Sequence, residues 1–260
     1  MTGCYLRLLC SGLCLLCSSL AAATVQIGVD AGNPPFMYAK DDHGEAAQGL
    51  YPDLIRAVFA RMRQPVTLHA LPWKRVLLAA EQGGQGIGGL YMNGERLRWL
   101  AFSDPLYEEQ IVVYTLHPMT GKPRQIRRLA DLYGLRVGVL DHWFYSDEFS
   151  AATRSGLIQA QPVSSDRLNL RKLLAGRVDA VLAIRQSGDL ILRELPTHNT
   201  IDCSPQALFS NQAYLAFPRQ DAPEALLQQF NTTLRAMQAD GSYARLLDNA
   251  LSPDRSLANH

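Results

Sequence analysis

The sequence predicts an α/β fold in which mostly parallel sheets are covered by helices. Strand-like and helix-like segments alternate along almost the whole chain of 260 residues, which is typical of repeated β–α–β units. No low-complexity stretch or internal repeat interrupts this alternation. Removal of a 23-residue leader would leave 237 residues (260 − 23), enough chain to bury most of its apolar surface.

The first 23 residues have the organisation of a secretory signal peptide. Arg7 is followed by the apolar run 8–20 and then by the three small residues 21–23. The run is shorter than the roughly 20 residues that span a bilayer, which argues against a membrane anchor. We therefore expect cleavage near Ala23 and a mature protein in a bacterial periplasm.

The mature chain would carry balanced charge and a single thiol. Loss of Arg7 reduces the 25 basic residues to 24, equal to the 24 acidic residues. This balance gives no electrostatic case for binding nucleic acid or an anionic membrane surface. Four of the five cysteines lie within the leader, so only Cys203 remains and no internal disulfide is expected. The histidines show no metal-ligand spacing, and we expect neither a metal nor a cofactor.

Periodicity places the elements of the first half. Val25, Ile27 and Val29 alternate with polar or small residues, as in a half-buried strand. Pro52 and Asp53 open a helix, because proline suits the first helical turn and aspartate complements the positive end of the helix dipole. Further predicted elements are a strand at Val66–Ala70, a helix that begins at Pro72–Trp73, and strands at Ile87–Tyr91 and Ile111–Leu116.

A second series of elements follows the polar stretch His117–Gln125, which contains two prolines and a glycine. The chain ends in helices that are interrupted at Gly241. Between them we predict a strand at Arg136–Leu140, a helix at Ser165–Ala175, a strand at Val178–Ala183, a helix that ends through Ile191–Leu195, and a strand at Tyr214–Phe217.

The segment Gly84–Gly89 matches the pattern G-x-G-x-x-G, but it does not predict a nucleotide site. A dinucleotide-binding loop follows a strand and opens a helix. Here a predicted helix precedes the glycines and a predicted strand follows them. The pattern therefore indicates a turn with close backbone packing.

Short motifs along the mature chain occur in the order typical of one bacterial family. The segment Gly94–Leu106 contains E-R and, after four intervening residues, A-F-S-D-P, and it is similar to the signature of that family. Six further motifs agree with it: Asp30–Phe36, Gly49–Leu54, Leu71–Lys74, Leu135–Leu140, Gly176–Val181 and Asp240–Arg245. On these motifs the chain resembles the bacterial extracellular solute-binding proteins of family 3, the polar-amino-acid type that serves ABC transporters.

The resemblance implies a two-lobed, periplasmic-binding-protein-like (type II) fold, with two mostly parallel sheets, flanking helices and a two-strand hinge. Lobe I would comprise residues 24–109 plus 214–260, and lobe II residues 110–213. The hinge strands would lie near Glu109–Val113 and Asn211–Leu215. A small ligand would bind between the lobes and stabilise their closed arrangement, because only that arrangement contacts the ligand from both sides.

Arg96 matches the arginine that binds the ligand's α-carboxylate in the amino-acid-binding members. A guanidinium group offers two parallel donors to a carboxylate, which makes the contact strong and geometrically selective. The alternative for Arg96 is a surface ion pair with Glu95 or Glu108.

Three further candidates come from the same resemblance. Trp73 matches a position where relatives place an aromatic ring on the ligand, with ordinary core packing at a helix start as the alternative. Asn33 lies at the pocket-facing position of the first-strand loop, and Asp30 begins that loop.

Departures from the family pattern indicate a changed pocket. Ile184 stands where amino-acid binders carry an acid for the ligand's ammonium group, and Arg185 follows it. A buried ammonium without an anion is costly, so the pattern disfavours a standard α-amino acid. Asp141 could supply the missing anion from another direction.

The residues beside the expected carboxylate site also differ from the family pattern. Gly89 and Tyr91 stand where small hydroxyl residues are usual. His142 and Trp143 follow Asp141 in a loop that is normally made of small and hydroxyl residues, and they could line a bulkier aromatic pocket.

The sequence leaves three functions open. The first is a monomeric periplasmic binding protein that delivers a small, carboxylate-bearing solute to a membrane permease. The second is a sensing subunit for a membrane signalling receptor. The third is a cyclohexadienyl-dehydratase-like enzyme with Asp141, His142 or Asp30 as acid or base. We predict the first, and therefore a protein that is not an enzyme.

Overall fold

A ten-stranded sheet runs through both lobes of the computed structural model. The structure describes residues 23–40, 46–118, 120, 124–195, 200–221 and 224–252. The main strand order is β10-β9-β11-β8-β13-β6-β1-β5, with β12 paired to β8 and β7 paired to β13. Residues 1–22 of the predicted signal peptide lie outside the described part of the chain. The strands are β1 (Val25–Asp30), β2 (Gly32–Asn33), β3 (Met37–Ala39), β4 (Ala47–Gln48), β5 (Val66–Leu71), β6 (Gly86–Tyr91), β7 (Leu100–Phe102), β8 (Tyr107–Leu116), β9 (Arg136–Leu140), β10 (Gln159–Val163), β11 (Ala180–Ile184), β12 (Ile201–Cys203) and β13 (Phe209–Pro218).

Each half of the long sheet contains three parallel strands, as the β–α alternation predicts. In one half β1 pairs in parallel with β5 and β6, and in the other β9 pairs in parallel with β10 and β11. The antiparallel pair β8–β13 joins the halves, with Asn211 opposite Glu109. The two predicted sheets are thus continuous through the two crossing strands. The exact bounds of the lobes stay a prediction.

The helices that cover the sheet include most of those predicted from periodicity. Ser165 caps α4, since its side chain accepts a hydrogen bond from the backbone N–H of Leu168 at 3.4 Å. The helix α3, the strands β7, β10 and β12 and the small sheet β2–β3–β4 were not predicted. The helices are α1 (Leu50–Met62), α2 (Trp73–Glu81), α3 (Asp147–Arg154), α4 (Asp166–Leu174), α5 (Arg185–Glu194), α6 (Glu224–Ala239) and α7 (Ser242–Leu251), with 3₁₀ turns at Arg96–Arg98 and Leu129–Leu132.

The first helix begins at Leu50, two residues before the predicted start at Pro52, because the preceding loop caps it with backbone groups. The N–H of Leu50 donates to the carbonyl of Pro35 at 3.1 Å, and the N–H of Tyr51 donates to that of Phe36 at 3.0 Å. These bonds satisfy two N–H groups that lack a partner inside the helix. They also fix the loop after β1 against α1.

The core of lobe I forms where α1 packs against α6 and the sheet. Phe59 of α1 meets Phe230 of α6 with a centroid distance of 5.7 Å, and both rings are fully buried. In lobe II, the buried Tyr114 donates its hydroxyl to Asp189 of α5 at 2.9 Å. None of the helices in the described part of the chain is long and apolar enough to cross a membrane.

We expect Gly49→Ala to destabilise the protein by about 2–4 kcal/mol, as the sum of backbone strain and overpacking. Gly49 has φ of 108°, and an added Cβ would lie 2.6–2.7 Å from backbone atoms of Phe36 and Pro35. Gly94→Ala is the control, because no atom lies within 4 Å of its added Cβ. Denaturant unfolding measures both variants, and equal unfolding free energies would contradict the backbone role of Gly49.

Candidate ligand-binding cleft

Arg96 extends from the first position of a 3₁₀ turn into the space between the lobes. The turn is held because the backbone N–H of Arg96 donates to Asn93 Oδ1 at 2.8 Å. Its Nη1 donates to the carbonyl oxygen of Tyr91 at 2.7 Å, and the residue is buried. Burial lowers the pKa of Arg96 to about 10, so the guanidinium stays charged at neutral pH. Glu108, one of its possible ion-pair partners, instead accepts from Ser210 Oγ at 2.6 Å.

A small cavity of about 10 Å³ lies beside the Arg96 guanidinium. Such a volume holds about one water molecule. A larger ligand can therefore bind only when the lobes separate or a lining side chain moves. The lining residues are Trp73, Gly89, Tyr91, Arg96, Trp143 and Phe144, and five of these six were predicted as ligand contacts.

Trp143 of lobe II inserts between aromatic side chains of lobe I. Its ring lies 6.1 Å from that of Trp73 and 5.6 Å from that of Tyr91, the latter in an edge-to-face arrangement. Trp73 Nε1 also donates to the carbonyl oxygen of His142 at 3.3 Å. These contacts join the lobes. Offset and edge-to-face aromatic pairs contribute stabilisation beyond that from the burial of their surfaces.

Asp30 ends β1 and Asn33 ends the short strand β2, both on the lobe I side of the cleft. Burial raises the pKa of Asp30 to about 6. Hydrogen bonds from the Gly32 and Ala31 backbone and from the Trp143 side chain act in the opposite direction and lower this pKa. Asn33 Oδ1 accepts from Ser187 Oγ of α5 at 2.9 Å. Both predicted residues therefore contact lobe II.

Besides Asp30 and Asn33, three further predicted residues do not line the cavity. The Asp141 side chain is 55% exposed, and its carboxylate lies 3.3 Å from Nε2 of His142. Arg185 donates to Cys203 Sγ at 3.2 Å and to the carbonyl oxygen of Ser204 at 2.9 Å. Ligand contact by Asp141, His142 and Arg185 thus has no support from their positions.

Glu109 is a buried carboxyl that the sequence analysis did not identify as a site residue. It lies on β8, and its two carboxyl oxygens accept the hydroxyls of Tyr51 and Tyr91. Burial raises its pKa to about 8. The only sequence signal was its position at the start of the predicted hinge strand.

Asp166 is a second buried carboxyl that the sequence analysis missed. It is the first residue of α4, where an acid commonly complements the helix dipole. Burial and the charge of Asp30 raise its pKa to about 7. The local sequence predicts only that Asp166 begins a helix. No local pattern indicates that this residue faces the other lobe.

Acids outnumber bases among the buried side chains of the described residues. The buried charged residues are Asp30, Glu109, Asp166 and Arg96, so three carboxyls accompany one guanidinium. Within the same part of the chain, no group of three His, Cys, Asp or Glu side chains could hold a metal ion. Arg96 is therefore the one buried cationic side chain among the described residues.

A family model supplies the classification that this geometry suggests. The model for bacterial extracellular solute-binding proteins, family 3, matches residues 25–252. The chain belongs to this family. The match spans both lobes and the crossing strands, and it confirms the resemblance drawn from the seven motifs.

Individual relatives agree with this classification. ABC transporter arginine-binding protein 1 of Escherichia coli (strain K12) is 24% identical over 238 residues, covering 88% of this chain and 90% of the relative. An ancestral arginine-binding protein bound to arginine has a TM-score of 0.74 at 21% identity, covering 88% of this chain and 98% of that one. A histidine kinase sensor domain similar to periplasmic binding proteins has a TM-score of 0.75 at 21% identity, covering 89% and 97%. The structural likenesses establish the two-lobed fold.

We expect the unfolding free energy to fall by about 2–4 kcal/mol from pH 5 to pH 9 through Glu109. Its pKa is raised to about 8, so the folded state holds a proton that the unfolded chain loses above its ordinary pKa of 4.5. This stabilisation is complete below the ordinary value and is lost as the pH rises through about 8. Glu109→Gln should therefore show a shallower decline in denaturant unfolding across this range.

The adjacent Glu108→Gln variant is the matched control, because Glu108 is exposed. It should keep the wild-type pH dependence. An unchanged slope in Glu109→Gln would show that this carboxyl is already ionised in the folded protein at neutral pH.

Proposed function

We propose that this chain is a periplasmic solute-binding protein that captures a small, carboxylate-bearing ligand between its lobes for uptake by an ABC transporter. The observation that carries the proposal is the buried, charged guanidinium of Arg96 at the interlobe cavity. Its hydrogen bond to the Tyr91 carbonyl fixes one side of the group, and a guanidinium retains further N–H donors for a carboxylate.

The contacts between the lobes support capture by closure. Asn33–Ser187 and Trp73–His142 are hydrogen bonds that cross the cleft, and Tyr107 accepts one from Gln186 Nε2 at 3.1 Å. A ligand that bridges the lobes adds free energy to the same closed arrangement, and the population shifts toward it. A permease can then distinguish the loaded protein by its shape.

The partners and location follow from the same proposal. We propose export through the predicted signal peptide, a monomeric mature protein, and a membrane permease as the acceptor of the ligand. Lobe I comprises residues 24–109 and 214–260 in this proposal, and lobe II residues 110–213. The crossing strands β8 and β13 then act as the hinge.

L-arginine is the first probe, because relatives of this chain are named as arginine-binding proteins. Glutarate and other small carboxylates extend the panel, since Ile184 replaces the usual acid for an α-ammonium group. Thermal unfolding with each compound identifies a ligand through its stabilisation of the folded state. A panel without a single stabilising carboxylate would contradict the proposal.

We expect Arg96→Ala to weaken binding of the carboxylate ligand by about 2–5 kcal/mol, because the ligand's buried anion loses its charged partner. Isothermal titration calorimetry measures the loss. The control is Arg98→Ala in the same 3₁₀ turn, whose side chain is exposed. Equal affinities of the Arg96 variant and the wild-type protein would remove Arg96 from the site.

A further inference from the structure

Charge is distributed unevenly between the lobes, although the mature chain is balanced overall. With the predicted lobe bounds, residues 110–213 contain 12 basic and 9 acidic residues. Residues 24–109 and 214–260 together contain 12 basic and 15 acidic residues. Lobe II therefore carries an excess of positive charge and lobe I an equal excess of negative charge. A balanced total does not exclude attraction between one lobe and an anionic surface.

Arginines cluster at the edge of lobe II that lies opposite the cleft. The parallel strands β9 and β10 begin at this edge, with Gln159 opposite Arg136, and β11 runs in the same direction. The cleft residues Trp143 and Ser187 follow the other ends of β9 and β11. Residues that precede these strands therefore lie away from the cleft. We call this surface the basic edge, and its arginines are Arg124, Arg127, Arg128, Arg136 and Arg177.

Local contacts make these arginines neighbours. Arg136 Nη2 donates to the carbonyl oxygen of Gly176 at 3.0 Å, which brings it beside Arg177. Arg124 lines a surface depression of about 520 Å³ whose wall also includes Gly176. Arg124 and Arg127 together line a second depression of about 270 Å³. The shared contacts therefore make one continuous basic surface.

The acids near the basic edge have partners within the protein. Asp131 contacts Arg128 Nε at 3.3 Å, and Asp179 contacts Arg136 Nη2 at 2.8 Å. Asp202, which lines the smaller depression, contacts a histidine ring nitrogen at 2.9 Å. Within the described part of the chain, no acid forms an ion pair with the other three arginines of the surface. The basic edge therefore presents positive charge that the protein itself does not neutralise.

Two large apolar side chains are exposed beside these arginines. Tyr133 is 44% exposed and Leu157 is 46% exposed. The N–H of Gly134 donates to the carbonyl oxygen of Leu157 at 2.7 Å, so the two side chains belong to neighbouring segments. These segments lead into β9 and β10, where Arg136 lies. A partner that buries the apolar pair while leaving the charges at a water boundary would lower the free energy of this surface.

We propose that the basic edge docks reversibly on an anionic lipid bilayer. Each arginine near such a surface raises the affinity about fivefold, and its guanidinium can form paired hydrogen bonds with phosphate oxygens. Tyr133 and Leu157 then enter the boundary between headgroups and acyl chains, where amphipathic aromatic rings are favoured. An acidic protein surface would use the arginines but has no need of the apolar pair, so the observations favour a bilayer.

Docking by this edge leaves the binding cleft accessible to solute, because the cleft lies at the other end of lobe II. The mature chain would be held at the membrane without any contact to Arg96 or the aromatic side chains around it. The inference therefore goes beyond solute capture and stands or falls independently of it.

Sedimentation with lipid vesicles measures the docking of the mature chain, since an uncleaved apolar leader would bind lipid by itself. One set of vesicles contains equal parts of phosphatidylglycerol and phosphatidylcholine, and the other contains phosphatidylcholine alone. At about 50 mM salt we expect a partition coefficient at least about thirtyfold higher for the anionic vesicles, with a steep fall at about 500 mM salt. Equal partition onto both sets would overturn the proposal.

Arg127→Gln combined with Arg177→Gln removes two unpaired charges from the basic edge. We expect this double variant to partition about tenfold to thirtyfold more weakly onto the anionic vesicles. Arg75→Gln combined with Arg245→Gln is the matched control, because it removes two exposed charges from lobe I. The control should partition like the wild-type protein, and thermal unfolding checks that both variants fold. Equal partition of the two double variants would overturn the assignment to the basic edge.

Tyr133→Ser combined with Leu157→Ser distinguishes a bilayer from an acidic protein. We expect partition onto the anionic vesicles to weaken by about tenfold or more, because the apolar contact is lost. Binding to poly-L-glutamate, which offers charge alone, should not change. If the serine variant partitions onto the vesicles like the wild-type protein, the surface recognises charge alone. That result would overturn the bilayer in favour of an acidic protein partner.

Discussion

The buried carboxyl of Glu109 is the contact on which the cleft depends. It lies on a strand that crosses between the lobes, and it holds the hydroxyls of Tyr51 on α1 and Tyr91 on β6. The same Tyr91 accepts the Arg96 guanidinium through its carbonyl and packs edge-on against Trp143. One acid therefore fixes strand β8, the Arg96 guanidinium and an aromatic wall of the cavity relative to each other. Its raised pKa is the electrostatic consequence of placing this junction inside the protein.

The balance of buried charge gives the cleft its chemical character. Asp30, Glu109 and Asp166 are accompanied by Arg96 alone among the buried charged side chains of the described residues. Desolvation penalises every ionised group there, and mutual repulsion adds to the penalty for the acids. In the described arrangement of the lobes, the protonated forms of these acids are therefore favoured.

Local patterns predicted most of the elements, and the exceptions have physical reasons. Strand β10 contains Pro162 and lies at the edge of the sheet, the place where a strand tolerates a proline. Helix α3 buries only Phe149 and Ala152, too few for a clear helical period. The early start of α1 depends on carbonyl groups of Pro35 and Phe36, which no periodicity of the helix itself can reveal.

By itself the sequence determined the family, the β–α order and the candidates Arg96, Trp73 and Tyr91, because these belong to short motifs with fixed spacing. Tertiary structure decided which acid faces the cleft. Asp141 is next to the aromatic loop in sequence yet is exposed, whereas Asp166, a helix-start residue by its local pattern, is buried near Asp30. The reason is that burial and like-charge proximity arise from the meeting of two lobes, and residues far apart in the chain share no local signal of that meeting.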